Sequence, residues 1–243
     1  MGDSIRKRGH STFCSLPTRR GHDIHVAMPR TARASVGGFF YHVINRGNQR
    51  ARVFHSDADY RHFLGLMNRA SARRPMRIVG YCLMPNHFHL LLWPYEDGDL
   101  SRWMQWLLTA HVRSYHCCYG TDGRVWQGRF KAFPIQEDEH LLTVLRYVER
   151  NALRANLVDK AEDWPWSSAA DGQHREGFPM ALPRDWARIL NEPQPRADLA
   201  TIRQAVNRGR PLGTADWQQN TAARLGLESS LRPRGRPRKS AKK

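Results

Sequence analysis

The stretch Phe39-Phe40-Tyr41-His42-Val43-Ile44 is aromatic and β-branched almost throughout and stops at Asn45-Arg46-Gly47-Asn48. It predicts a strand closed by a tight turn. The period then changes. Tyr60, Phe63, Leu64 and Met67 fall at i, i+3, i+4 and i+7, the spacing of one buried helix face, and Ser56 with Asp59 three residues on supplies a capping pair at its start. Pro75 ends that connection, and residues 76–83 and 86–93 read as two strands separated near Met84-Pro85. A longer helix, capped by Asp99, carries Leu100, Trp103, Met104, Leu107, Leu108 and Tyr115, with Gly120 where a left-handed cap is expected. A strand near 124–134 and a helix from Asp138 to about Leu153 follow. The order β-α-β-β-α-β-α predicts an α+β fold, an antiparallel sheet with helices packed on it.

Beyond Trp164-Pro165-Trp166 the pattern weakens to short helical stretches around Trp186 and Trp217, and from Leu231 onward the chain is basic and free of acidic residues. The expected organisation is a disordered extension over 1–35, a folded domain over 36–175, a small helical region over 176–230 and a basic disordered tail over 231–243. Composition sharpens this picture. Lys and Arg number 39 against 22 Asp and Glu, a formal charge of +17 in 243 residues. Such an excess points to a polyanionic partner, nucleic acid first. No stretch approaches the ~18 apolar residues of a membrane span, so no membrane role is expected. The first 27 residues lack a signal-like apolar core, and Cys14, Cys82, Cys117 and Cys118 contain no C-x-x-C pair. A cytoplasmic protein without a disulfide framework is expected.

Two segments carry candidate chemistry. In Pro85-Asn86-His87-Phe88-His89-Leu90-Leu91-Leu92-Trp93 the alternation of a strand turns His87 and His89 to one face, roughly 6.5–7 Å apart along it. Two such imidazoles can share one metal ion and leave positions open for oxygen ligands. A strand H-x-H is, by itself, more often a hydrogen-bonded core pair. In Leu141-Leu142-Thr143-Val144-Leu145-Arg146-Tyr147-Val148-Glu149-Arg150-Asn151, helical spacing puts Tyr147 and Asn151 one turn apart at the flank of an apolar stripe. Tyr147 is a potential nucleophile and Asn151 a potential oxygen ligand, although a tyrosine in that position is more commonly a packing residue.

Together these segments resemble the single-tyrosine HUH (IS200-like) transposases, most closely the REP-associated tyrosine transposases of bacteria. The resemblance rests on Asn45-Arg46-Gly47-Asn48, the histidine strand, Trp126-Gln127-Gly128-Arg129-Phe130-Lys131 and Arg146-Tyr147-Val148-Glu149-Arg150-Asn151, in that order, over about residues 36–170. Trp164-Pro165-Trp166-Ser167-Ser168 is similar to the segment that closes the family domain. Ala152 and Asn156 depart from the family pattern, which has proline and glycine there. The resemblance implies a ferredoxin-like sheet with the histidine strand central, His87, His89 and Asn151 as ligands for Mg2+ or Mn2+, and Tyr147 as nucleophile. It implies cleavage and rejoining of single-stranded, hairpin-forming DNA through a 5′-phosphotyrosine, in a bacterial, nucleoid-associated enzyme. The alternatives are a domesticated, inactive protein that keeps only DNA binding, and a basic RNA-binding module built on the same sheet.

Further contacts to nucleic acid are expected from Arg46 and Asn48 on the turn, and from Arg124, Arg129 and Lys131 around Trp126, where cations neutralise phosphates and a ring stacks on a base; the alternative is a charged strand edge with Trp126 in the core. In the tail, Arg234-Gly235-Arg236-Pro237 is similar to an AT-hook, in which Arg234 and Arg236 would enter a narrow minor groove. The functional unit is expected to be a monomer or a homodimer.

Overall fold

The computed structural model describes residues 35–171 and 178–232. Residues 1–34 of the extension expected over 1–35, and the AT-hook-like segment with Arg234 and Arg236, lie outside the described residues. In chain order the central elements are β1 (Phe40–Arg46), α1 (Asp57–Arg73), β2 (Met76–Met84), β3 (His87–Pro94), α2 (Asp99–Tyr119), β4 (Lys131–Ile135), α3 (Glu139–Glu149) and α4 (Asn151–Arg154). The four strands form one antiparallel sheet in the order β2-β3-β1-β4, so the histidine strand is central and β1 runs beside it. This is the ferredoxin-like order, with α3 added after the last strand.

Strand alternation divides the core in two. Phe88, Leu90 and Leu92 of β3 join Val43 of β1 on one face, where α1 and α2 lay down Phe63, Met67, Trp103 and Leu107. Leu91 and Phe40 point to the other face, against Leu141, Val144, Leu145 and Val148 of α3. Each of these leucines is withdrawn from solvent, a contribution of about 1.5–3 kcal/mol per side chain. Gly80 lets α3 come close to β2, because a Cβ there would stand 2.6 Å from the Leu145 side chain.

Helix starts follow the sequence closely. Ser56 and Asp59 form the expected capping box on α1, and Gly120 takes the left-handed conformation, φ 61°, after α2. Three expectations are corrected. The N-cap of α2 is Gly98 at φ 83°, not Asp99; the Asp99 carboxylate instead accepts from the Glu96 amide and from Arg74. The strand expected near 124–134 is shortened to Lys131–Ile135. Gly123 turns the chain at φ 83°, and Trp126 keeps only a single bridge to Gly47. The helix expected to run from Asp138 to about Leu153 is broken at Arg150, whose ψ of 2° offsets Asn151–Arg154 and leaves Asn151 buried.

The C-terminal segments as far as Leu212 share the α3 face of the core. After α5 (Ser168–Asp171), the helices are α6 (Trp186–Asn191), α7 (Arg196–Arg208), α8 (Ala215–Leu225) and α9 (Glu228–Leu231). Trp186, Leu190, Ile202, Ala205 and Leu212 are buried with the residues of α3 and β4. The edge of β4 is capped by backbone hydrogen bonds with Leu212, and the edge of β2 by Trp166 and Ser168. No described helix is long and apolar enough to cross a membrane.

Candidate active site

Pairing of Ile44 with His89 and of Arg46 with His87 puts the alternate residues His42, Ile44 and Arg46 of β1 on the same face as the two histidines of β3. This face forms the floor of a pocket of about 220 Å3, to which Ile44, Arg46, His87 and His89 contribute. Tyr147 from α3 and Arg154 from α4 form one side, and Arg203, Val206 and Asn207 from α7 form another. The two imidazole rings lie 5.1 Å apart, and the Tyr147 ring stands edge-on to that of His89 at 5.5 Å. Thus the two histidines and the tyrosine converge, although they belong to a strand and to a helix far apart along the chain.

Each group is held from behind. The His89 Nδ1 lies 2.8 Å from the Nε2 of His42, a fully buried neighbour whose ring stacks on it at 5.0 Å. With Nδ1 engaged, the Nε2 of His89 is the nitrogen left for a ligand. His87 contacts the Asn86 side-chain oxygen through Nδ1 at 2.7 Å and is hydrogen-bonded by the side chain of Asn151. The Nδ2 of Asn151 is buried without a hydrogen-bond partner. Above them, the Arg154 guanidinium lies over the Tyr147 ring at 4.7 Å and donates to its hydroxyl at 3.4 Å.

The electrostatics favour neutral imidazoles. Burial pushes His87 down to about 4, with Arg46 and Arg154 adding to the effect. Burial also holds His89 well below the ordinary histidine value, reinforced by His42, His87 and the same arginines, and burial alone lowers His42 to about 3. Unprotonated rings keep lone pairs free for a cation, while Arg46, Arg154 and Arg203 surround the pocket with positive charge suited to a phosphate. The Nε atoms of Arg46 and Arg154 are buried without hydrogen-bond partners.

Other expected contacts are distributed unevenly. Lys131 pairs with Ile44 and is exposed on the pocket's face of the sheet, and Arg124 and Arg129 are exposed on the loop that joins the end of β1 through the Gln127–Arg46 backbone bond. Asn48 is half-buried beside this loop, its amide donating to the Val125 carbonyl. Trp126 is a correction. Its indole is 5 % exposed and packs among Phe54, Phe63, Phe88 and His111, so it offers no free face to a base. The apolar area of the ring is better satisfied in the core than at the surface. Sequence reasoning missed His42, Arg154 and Arg203. The signal for His42 was its even spacing from Arg46 along the strand; for Arg154, its position two helical turns beyond Tyr147.

A separate cluster, Asp138, Glu139 and His140, lies at the start of α3. There Asp138 caps the helix by accepting from the His140 amide and ring, which accounts for the grouping.

Sequence comparison with known proteins converges on one family. Residues 35–151 match the family described as "Transposase IS200 like". A REP-associated tyrosine transposase relative from Haemophilus influenzae is 30% identical over 122 residues, covering 46% of this chain and 67% of that protein. The REP-associated tyrosine transposase of Escherichia coli K12 is 25% identical over 154 residues, 62% of this chain and 86% of that one. Among solved structures, a REP-associated tyrosine transposase bound to a REP hairpin aligns with a TM-score of 0.49 at 20% identity, over 64% of this chain and 93% of that one.

Proposed function

The chain belongs to the IS200-like transposase family, among its REP-associated tyrosine transposases, and from that premise we propose that it cuts and rejoins single-stranded, hairpin-forming DNA with Tyr147 as nucleophile. The observation that carries this reading is the convergence of Tyr147, His87 and His89 in one arginine-rimmed pocket.

Attack by the Tyr147 oxygen on a backbone phosphorus forms a phosphotyrosine and breaks the bond to the 3′-oxygen. The products are a 5′-phosphotyrosine and a free 3′-hydroxyl, and the proton lost by the phenol balances the one gained by the departing oxygen. The bond energy is retained, so a second 3′-hydroxyl can reverse the step and join strands without a nucleotide cofactor. Arg154, which already donates to the tyrosine hydroxyl, stabilises negative charge there during attack and on the phosphate afterwards. Arg46 holds the backbone against the floor of the pocket.

The donor set fits a divalent cation. Two neutral imidazoles lie side by side and the Asn151 side chain reaches His87, so His87, His89 and the side-chain oxygen of Asn151 are the groups that would hold Mg2+ or Mn2+. Bound there, the ion supplies Lewis-acid polarisation of a phosphate oxygen. Arg124, Arg129 and Lys131 form the basic surface on which the strand or hairpin approaches, without base stacking by Trp126.

The test is incubation with labelled single-stranded hairpins from the source genome, with and without Mn2+, followed by a denaturing gel. Wild type yields a shifted covalent band that depends on Mn2+. Tyr147→Phe binds the hairpin and yields none; a band of equal yield in that variant removes the assignment.

A further inference from the structure

Helix α7 lies beyond the 35–151 segment that matches the family, yet it reaches the pocket. Ile202 and Ala205, fully or nearly fully buried, anchor it on the α3 face of the sheet. The opposite flank then presents Arg203 and Asn207, one turn apart and both exposed, with the half-buried Val206 between them. Arg203 has no ion-pair partner among the described residues.

Among the described residues no acidic side chain lines the pocket, and its basic groups come from two directions: Arg46 and Arg154 around the histidines, Arg203 across from them. A single phosphate at the histidines and Tyr147 would be gripped by the first pair. Arg203 and Asn207 are left over, and they face an opening that a continuing strand must cross. At about 220 Å3 the pocket lies below the ~300 Å3 typical of sites for whole small molecules, which suits a part of a nucleic-acid strand.

We propose that Arg203 and Asn207 of α7 form a second phosphate subsite, which holds the backbone phosphate next to the one attacked by Tyr147. The guanidinium fork takes the phosphate oxygens, the Asn207 amide donates from one turn away, and Val206 lies against the sugar. The C-terminal helices thereby fix the direction in which the strand leaves the pocket. This subsite rests on the reading of the pocket as the cleavage site, so its test must be separable from the chemistry.

Binding of a fluorescent twelve-nucleotide dT strand is measured by anisotropy between 50 and 300 mM salt, on the full chain carrying Tyr147→Phe. Each lost phosphate contact reduces the slope of log affinity against log salt by about 0.7 for a single strand. Arg203→Ala is expected to show that reduction, with affinity at 50 mM salt about three- to tenfold lower, and Arg203→Lys to restore the slope. Arg69→Ala, a control on α1 across the sheet, leaves it unchanged. An unchanged slope in Arg203→Ala, or an equal reduction in Arg69→Ala, overturns the subsite. Because no covalent step is read, this result stands apart from whether Tyr147 forms an adduct.

Discussion

His89 illustrates how a single side chain is given its role by its neighbours. Its Nδ1 is tied to His42, a residue with no opening onto the pocket, and burial keeps both rings neutral. His42→Ala therefore removes the brace rather than a ligand. Mn2+ affinity measured by isothermal titration is expected to fall about 10–100-fold, the usual cost of losing such a support; unchanged affinity would show that His89 is oriented by something else. Arg154 acts at the other side of the pocket. Loss of a charged hydrogen bond of about 1.5–3 kcal/mol predicts that Arg154→Ala slows adduct formation roughly 10–100-fold. Hairpin binding should change far less than the cleavage rate, and an equal fall in both would make Arg154 a simple backbone contact.

At the scale of elements, α1 shows a local sequence signal tied to a distant contact. Asp59 closes the capping box with Ser56 and also accepts from the Tyr119 hydroxyl at the end of α2. Partial burial would raise its pKa, but the hydrogen bonds from Tyr119, His55 and Ser56 outweigh this and hold it below the ordinary carboxylate value. Its folded value thus lies below its unfolded one. The stabilisation is complete above about pH 4 and is lost as pH falls through the folded value. Thermal melts should show Asp59→Asn less stable than wild type at pH 7 by about 1 kcal/mol, with the difference shrinking toward pH 3. A constant difference across that range would mean that the carboxylate's charge plays no part. The capping box was legible in the sequence because its partners are three residues apart. The bond to Tyr119 was not, since it depends on how α1 and α2 pack. The break at Arg150 was hidden for a similar reason: the apolar stripe of α3 continues into Ala152, and periodicity alone reads through it.

For the whole molecule, the C-terminal helices are joined to the sheet through a polar bond inside an apolar layer. Glu149, fully buried at the end of α3, accepts from Ser168 and from the Trp186 indole. Trp186→Phe keeps most of the ring but removes one donor from a buried carboxyl, at a cost of about 1–3 kcal/mol and a fall of roughly 2–10 °C in Tm. A Tm within 1 °C of wild type would detach α6 from the stability of the domain. The net charge of +17 acts at this scale as well. It favours association with a polyanion without selecting any one phosphate, a choice that the proposed function leaves to the pocket.

By itself, the sequence determined what depends on local periodicity and covalent order. A period of two sent His87 and His89 to one face and Phe88, Leu90 and Leu92 to the other; a period of 3.6 gave the helices their buried stripes; and the order of elements gave the sheet. Tertiary structure alone decided which partners meet across long separations. It brought His42 to His89 from 47 positions away, turned Arg154 onto Tyr147 after the break at Arg150, buried Trp126 and swung Arg203 across the pocket. Periodicity can give the face on which such a residue lies but not the partner it meets, because that is set by how two faces pack and not by the pattern along either one.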